Sequence, residues 1–247
     1  VKIYATYNVK GGVGKTSAAV NLAYVASREG LSTLLWDLDP QAAATFLFRI
    51  RPRVKGGGKA LVRGTRPLDA AIKGTDFDNL DLLPADFTYR RMDLLLDAER
   101  KPTRQIGRLL APLAREYDTV FLDCPPSISL VSENVLYAAD TLVVPLIPTT
   151  LCTRTLDQLT SFVGSLDGRR PSILAFFSMV DRRKQLHRDI VEHLPEERTD
   201  VATATVPALS LIEQMGLHRA PLPSYAPRSK AAQCYRELWR ELSGRGS

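Results

Sequence analysis

The chain has 247 residues, 45% apolar and 24% charged, with 33 Lys and Arg against 27 Asp and Glu for a net charge of +6. That is globular composition; it excludes a fibre or a disordered tail, and the length is enough to bury a substantial core. No apolar run approaches the ~20 residues of a membrane-spanning helix, and Cys124, Cys152 and Cys234 form no CxxC pair that would indicate a zinc site or disulfide framework.

In chain order, residues 1–7 are rich in β-formers and lack the basic and long apolar regions of a secretory signal. Residues 16–28 carry Ala, Val and Leu at helical spacing, with Gly30 as a stop. Short apolar runs at 33–37, 80–83, 119–122, 142–144 and 173–177 predict strands. Helical patterns at 92–98, 104–115, 131–138 and 155–166 separate most of them, and a last helix is expected over 231–242. The alternation predicts an α/β fold, a mostly parallel twisted sheet with helices on both faces. Without internal repeats or a Pro/Ser-rich linker, residues 1–247 are expected to form a single domain.

The charge is uneven. Residues 49–66 hold Arg49, Arg51, Arg53, Lys55, Lys59, Arg63 and Arg66 and no acid, so the other 229 residues sum to −1. Gly56, Gly57 and Gly58 give this stretch the look of a flexible, solvated loop. From Arg219 onward six basic residues face two acids. Such patches suit phosphate backbones. His187, His193 and His218 show no metal-ligand spacing.

The strongest chemical signal follows the first strand: Asn8-Val9-Lys10-Gly11-Gly12-Val13-Gly14-Lys15-Thr16-Ser17, running into a helix. A strand, a glycine-rich turn and a helix start bring backbone N–H groups together on phosphate oxygens. Lys15 is placed to reach the β and γ phosphates, and the Thr16 hydroxyl to ligand Mg²⁺. The usual GxxxxGK[ST] spacing is broken by Val9, and Lys10 adds a second lysine in the bend. Since Lys15 and the amides already serve the chain's own nucleotide, Lys10 is free for a phosphate presented from elsewhere. Two strands end in acids, Asp37-Leu38-Asp39-Pro40-Gln41 and Asp123-Cys124-Pro125-Pro126-Ser127, at the carboxyl edge where open α/β sheets hold ligands. One acid to orient water and one to hold hydrated Mg²⁺ is the minimum for phosphoryl transfer. Spacing alone does not separate Asp37 from Asp39.

KGGVGKT, DLDPQ and FLDCPPS, in that order, resemble the deviant Walker A P-loop NTPases of the ParA/MinD superfamily, and most closely its Soj-like ParA partition ATPases. The likeness extends through Ser178-Met179-Val180-Asp181-Arg182-Arg183, Val206-Pro207, Glu213 and Ala226-Pro227-Arg228-Ser229-Lys230-Ala231-Ala232. The resemblance implies ATP and Mg²⁺ as cofactors. It implies that Lys10 crosses an ATP-bound homodimer to the partner's nucleotide, that Lys15 and Thr16 serve their own nucleotide and Mg²⁺, and that Asp39 orients the hydrolytic water. It further implies that Asp123 acts on Mg²⁺, and that Met179, Asp181 and Pro207 line the adenine pocket.

The family's functional pattern implies an ATP-state dimer that binds double-stranded DNA non-specifically, a ParB-like or cargo-specific adaptor that triggers hydrolysis, and a cytoplasmic, nucleoid-associated location. Ala208 stands where some members carry a DNA-binding arginine, so Arg182, Lys184, Arg219, Arg228 and Lys230, or the 49–66 stretch, are left to carry that contact. Strand one starts at residue 1, so the helix-turn-helix extension of some plasmid partition proteins is not expected. The alternative, a MinD-like membrane switch, needs a basic amphipathic C-terminal helix. Arg236 and Arg240 are balanced there by Glu237 and Glu241, so no stable membrane anchor is expected. A cobyrinate-type amidating ligase or a reductase component would need a substrate or cluster set that the sequence does not display.

Overall fold

The computed structural model describes residues 1–244. Short apolar segments form β1 Lys2–Thr6, β2 Thr33–Asp37, β3 Lys73–Gly74, β4 Leu80–Leu83, β5 Thr119–Asp123, β6 Thr141–Leu146, β7 Ser172–Val180 and β8 Val201–Pro207. They make one eight-stranded sheet in the order β3-β4-β2-β5-β1-β6-β7-β8, parallel except for β3 against β4. The inner strands are buried along their whole length, which is why they read as apolar runs rather than alternations.

The helices are α1 Lys15–Arg28, α2 Ala43–Leu47, α3 Gly57–Val62, α4 Met92–Asp97, α5 Gln105–Leu110, α6 Leu130–Ala138, α7 Cys152–Gly164 and α8 Gln185–Glu197, followed by the short α9 Ser210–Glu213, α10 Met215–His218 and α11 Leu222–Tyr225, and by α12 Lys230–Gly244. They cover both faces. Residues from α3 to α8 pack on one side around Trp36, Leu83 and Leu122. Residues of α1, α2 and α10 to α12 pack on the other around Tyr4, Leu35 and Phe121.

Three expectations change. The 49–66 stretch is not a flexible loop: it contains α3, whose Ala60, Leu61 and Val62 are buried with Val54. Its glycines serve close packing. Gly57 has φ +61°, and a Cβ there would stand 2.6 Å from Thr88 Oγ1; Gly58 donates its N–H to the same oxygen at 2.8 Å. The helix expected over 104–115 divides into α5 and two 3₁₀ turns, Pro102–Arg104 and Ala111–Arg115, because Pro112 has no N–H to continue the ladder. Strand β8 and helix α8 extend the pattern beyond what was expected, although the alternation Val201-Ala202-Thr203-Ala204-Thr205-Val206 carries a strand signal.

Candidate nucleotide site

Strand β1 lies between β5 and β6, the point from which the chain builds outward in both directions. In open parallel sheets a crevice opens at the carboxyl edge of such a strand. Residues 7–14 fill it. Gly12 has φ +71° and Gly14 φ +94°, left-handed conformations that glycine adopts without steric cost. A Cβ at Gly14 would stand 2.8 Å from Ser178 Oγ, so the loop is packed tightly against β7. Asn8 braces the bend: its Oδ1 accepts from Lys10 N–H at 2.9 Å, and its Nδ2 donates to Pro145 C=O at 2.8 Å. Asn8 and Ser178 stood within the sequence motifs but without a role, since a buried amide or hydroxyl has no spacing signature.

Helix α1 begins directly after Gly14, with no side chain capping its amides and no acid in its first turn. Its N-terminus is therefore open to an anion. Lys15 is 7% exposed, and its Nζ donates to Lys10 C=O at 2.9 Å across the loop. Burial lowers the pKa of Lys15, while the charges of Asp123, Cys124 and Asp39 pull it back up. Lys10 itself is exposed.

The acids separate by their partners. Asp37 is fully buried on β2, directly opposite Asp123 on β5. Its Oδ2 accepts from Thr45 N–H at 2.8 Å and Thr45 Oγ1 at 2.7 Å, and its Oδ1 from Asp39 N–H at 3.2 Å. Burial pushes its pKa up to about 6. Asp37 thus pins α2 to the sheet. Asp39 is half-buried, on the turn above, and its Oδ1 accepts from Gln41 N–H at 2.9 Å. Asp123 is fully buried; Thr6 Oγ1 donates to its Oδ1 at 3.3 Å, and its Oδ2 has no hydrogen-bond partner among the described residues. Burial holds the pKa of Asp123 well above the usual carboxylate range, helped by the charge on Asp37 and opposed by the Thr16 hydroxyl and Lys15. An unsatisfied buried carboxylate oxygen beside a hydroxyl and an ammonium fits a hydrated divalent cation with its phosphate.

Further along the same edge, Val180 pairs with Pro207, placing Met179 and Pro207 on neighbouring strand ends. Met179 is 40% exposed with φ +54°. Asp181 is engaged: both its oxygens accept from Arg183 at 2.9 Å, and its N–H donates to His187 Nδ1 at 3.1 Å. Arg182 and Lys230 line one depression of about 190 Å³ with Pro207 and Glu237. Lys184 precedes α8, and Arg228 is exposed just before α12. Arg219 lies apart from them, stacked 4.5 Å over the Phe46 ring with its Nε donating to Phe46 C=O at 3.0 Å. Arg245, part of the C-terminal basic bias, lies outside the described residues.

Comparison with known proteins gives the same family. A family model described as an AAA domain matches residues 1–176. The chain is 30% identical to the sporulation initiation inhibitor protein Soj of Bacillus subtilis, over 99% of both chains. It is 31% identical to the chromosome partitioning protein ParA of Myxococcus xanthus, over 99% of this chain and 88% of the relative. Among solved structures it is similar to cobyrinic acid a,c-diamide synthase of Mycobacterium smegmatis with a bound ATP analogue and magnesium, with a TM-score of 0.81, 26% identity, and coverage of 98% of this chain and 94% of the other. A glycine-rich phosphate loop with two lysines, acids at two strand ends and full-length likeness to Soj and ParA converge: the chain is a ParA-like ATPase of the ParA/MinD superfamily.

Proposed function

We propose that the chain is a positioning ATPase built as one ATPase domain. In its ATP state it pairs with a second copy and holds duplex DNA without sequence preference; an adaptor protein triggers hydrolysis and release. The observation that carries this reading is the pair of lysines in one loop: Lys15 is buried and donates to the Lys10 C=O, while the Lys10 side chain is exposed. The open first turn of α1 and the unpartnered Asp123 Oδ2 fit Mg-ATP. Lys15 and the amides of Gly11, Gly12, Val13, Gly14, Thr16 and Ser17 would hold its phosphates. Thr16 and Asp123 would hold Mg²⁺, and Met179, Asp181 and Pro207 would flank the base. Bound there, Mg²⁺ neutralises phosphate charge. Asp39, half-buried with one oxygen committed to the turn, orients the attacking water. Lys10 reaches the partner's phosphates.

The cargo is a chromosome, a plasmid or a protein assembly; the relative named for chromosome partitioning favours the first, and with it a nucleoid-associated location in the cytoplasm. Arg182 and Lys230, which share a depression, together with Lys184, Arg219 and Arg228, supply DNA contacts. A membrane switch is disfavoured by α12, whose Tyr235, Leu238, Trp239 and Leu242 are all buried in the fold. A gel-shift series tests the reading: ATP and a non-hydrolysable analogue should shift duplex DNA of any sequence at low salt, and ADP should not. No shift in any state would overturn it.

A further inference from the structure

The positive charge of this chain is concentrated in two segments that flank α4. Residues 51–66 and 98–110 together carry ten basic residues and one acid, while the remaining 218 residues sum to −3. The two segments, far apart in sequence, meet in space. A depression of about 220 Å³ is lined by Arg66 from the first and by Gln105 and Arg108 from the second, with Asp69 and Glu116 at its wall. A neighbouring one of about 320 Å³ is lined by Arg100, Lys101, Arg104, Gln105 and Arg108 with Glu99 as its one acid, so Gln105 and Arg108 join the two.

The cations are held on ordered backbone. Helix α3 buries Gly57, Gly58, Ala60, Leu61 and Val62, leaving Lys59 as its exposed residue, with Arg63 exposed at its C-terminal cap. Arg104 is stacked 3.7 Å over the Tyr137 ring. Among the described residues none of the ten forms an ion pair with a carboxylate. Asp69, Glu99 and Glu116 offset part of this charge, but the two segments keep an excess of cations that repel one another, and a polyanion relieves that repulsion. The surface is open and spread over two helices and their loops, which matches a ladder of phosphates better than one small anion. None of the large exposed apolar side chains falls in either segment, and Leu94 of the intervening α4 is a single exposed leucine, too little apolar surface to anchor a lipid-binding face.

We propose that the α3–α5 layer is a duplex-DNA surface, separate from the C-terminal basic residues. This rests on the reading that the ATP-state dimer binds DNA, and it names where the backbone lies. The test compares the parent, a quadruple variant Lys59→Gln, Arg63→Gln, Arg66→Gln, Arg108→Gln, and a variant Arg228→Gln, Lys230→Gln. All are titrated with random-sequence duplex in ATP across a salt series, with thermal melting to confirm folding. The quadruple variant should lose about tenfold or more in affinity, with a salt slope shallower by about 0.9 per lost phosphate contact. In the unsubstituted parent, duplex should protect Lys55, Lys59 and Lys101 from acetylation. If the quadruple variant binds like the parent and these lysines stay reactive, the surface is wrong while the DNA reading stands. If the parent binds no duplex in any state, both fall. If anionic vesicles protect the lysines and duplex does not, the layer is a lipid surface and the proposal is overturned.

Discussion

Asp37, Asp39 and Asp123 are the same chemical group in three settings, and their partners divide the work. Both oxygens of Asp37 are occupied by Thr45 and the Asp39 amide, so it braces α2. Asp39 sits half-exposed on the turn above, the position from which water can be oriented. Asp39→Ala should therefore keep nucleotide binding and accumulate the paired state while losing ~10²–10⁴-fold in turnover, the usual worth of a positioned acid or base. Single-turnover phosphate release measures this, and near-normal release would move the role elsewhere. Asp37 makes a different prediction. Its folded pKa is raised to about 6, above its value in the unfolded chain, so the folded state keeps a proton that the unfolded state gives up. Its stabilising contribution is full below about pH 4 and is lost as pH rises through about 6. In metal-free buffer, the urea midpoint of Asp37→Asn should gain on that of the parent between pH 5 and pH 7.5. A constant difference between the two would show that burial does not perturb Asp37.

At the scale of elements, the strands and helices nearest the site were legible because each buries a continuous run or one helical face. The phosphate loop was legible because its chemistry requires glycine and lysine at set positions. What escaped was held by distant partners: the α3 segment carries seven cations and four glycines with its neighbours, a composition that reads as loop, yet Val54, Leu61 and Val62 anchor it in the core. The Gly57–Thr88 approach that permits this joins residues 31 positions apart, which no local pattern encodes. The bracing role of Asn8 was hidden for the same reason, since its amide reaches Pro145. Gly57→Ala adds a Cβ where φ is positive and Thr88 Oγ1 already stands at 2.6 Å, so it should destabilise by about 1–3 kcal/mol. Urea unfolding measures the loss, and an unchanged midpoint would return α3 to a loosely held loop.

Across the whole molecule, the sheet order places the phosphate loop in the crevice beside β1, with acids from β2 and β5 on one side and the ends of β7 and β8 on the other. Helix α12 closes the second face: Glu241 accepts from Thr203 and Ala204 N–H on edge strand β8 at 3.0 and 2.7 Å, and Trp239 Nε1 donates to Glu29 at 2.7 Å. Its apolar side is spent inside the fold, and Lys10 stays exposed on the phosphate loop. Lys15 serves the cradle of its own subunit, so loss of Lys10 should spare nucleotide binding and abolish pairing. The most direct measurement is the solution mass by light scattering of the parent and Lys10→Ala, each saturated with ATP and with bound nucleotide quantified in parallel. The account predicts that the parent doubles in mass while Lys10→Ala binds ATP and remains a single chain. A Lys10→Ala protein that pairs as the parent does would contradict it.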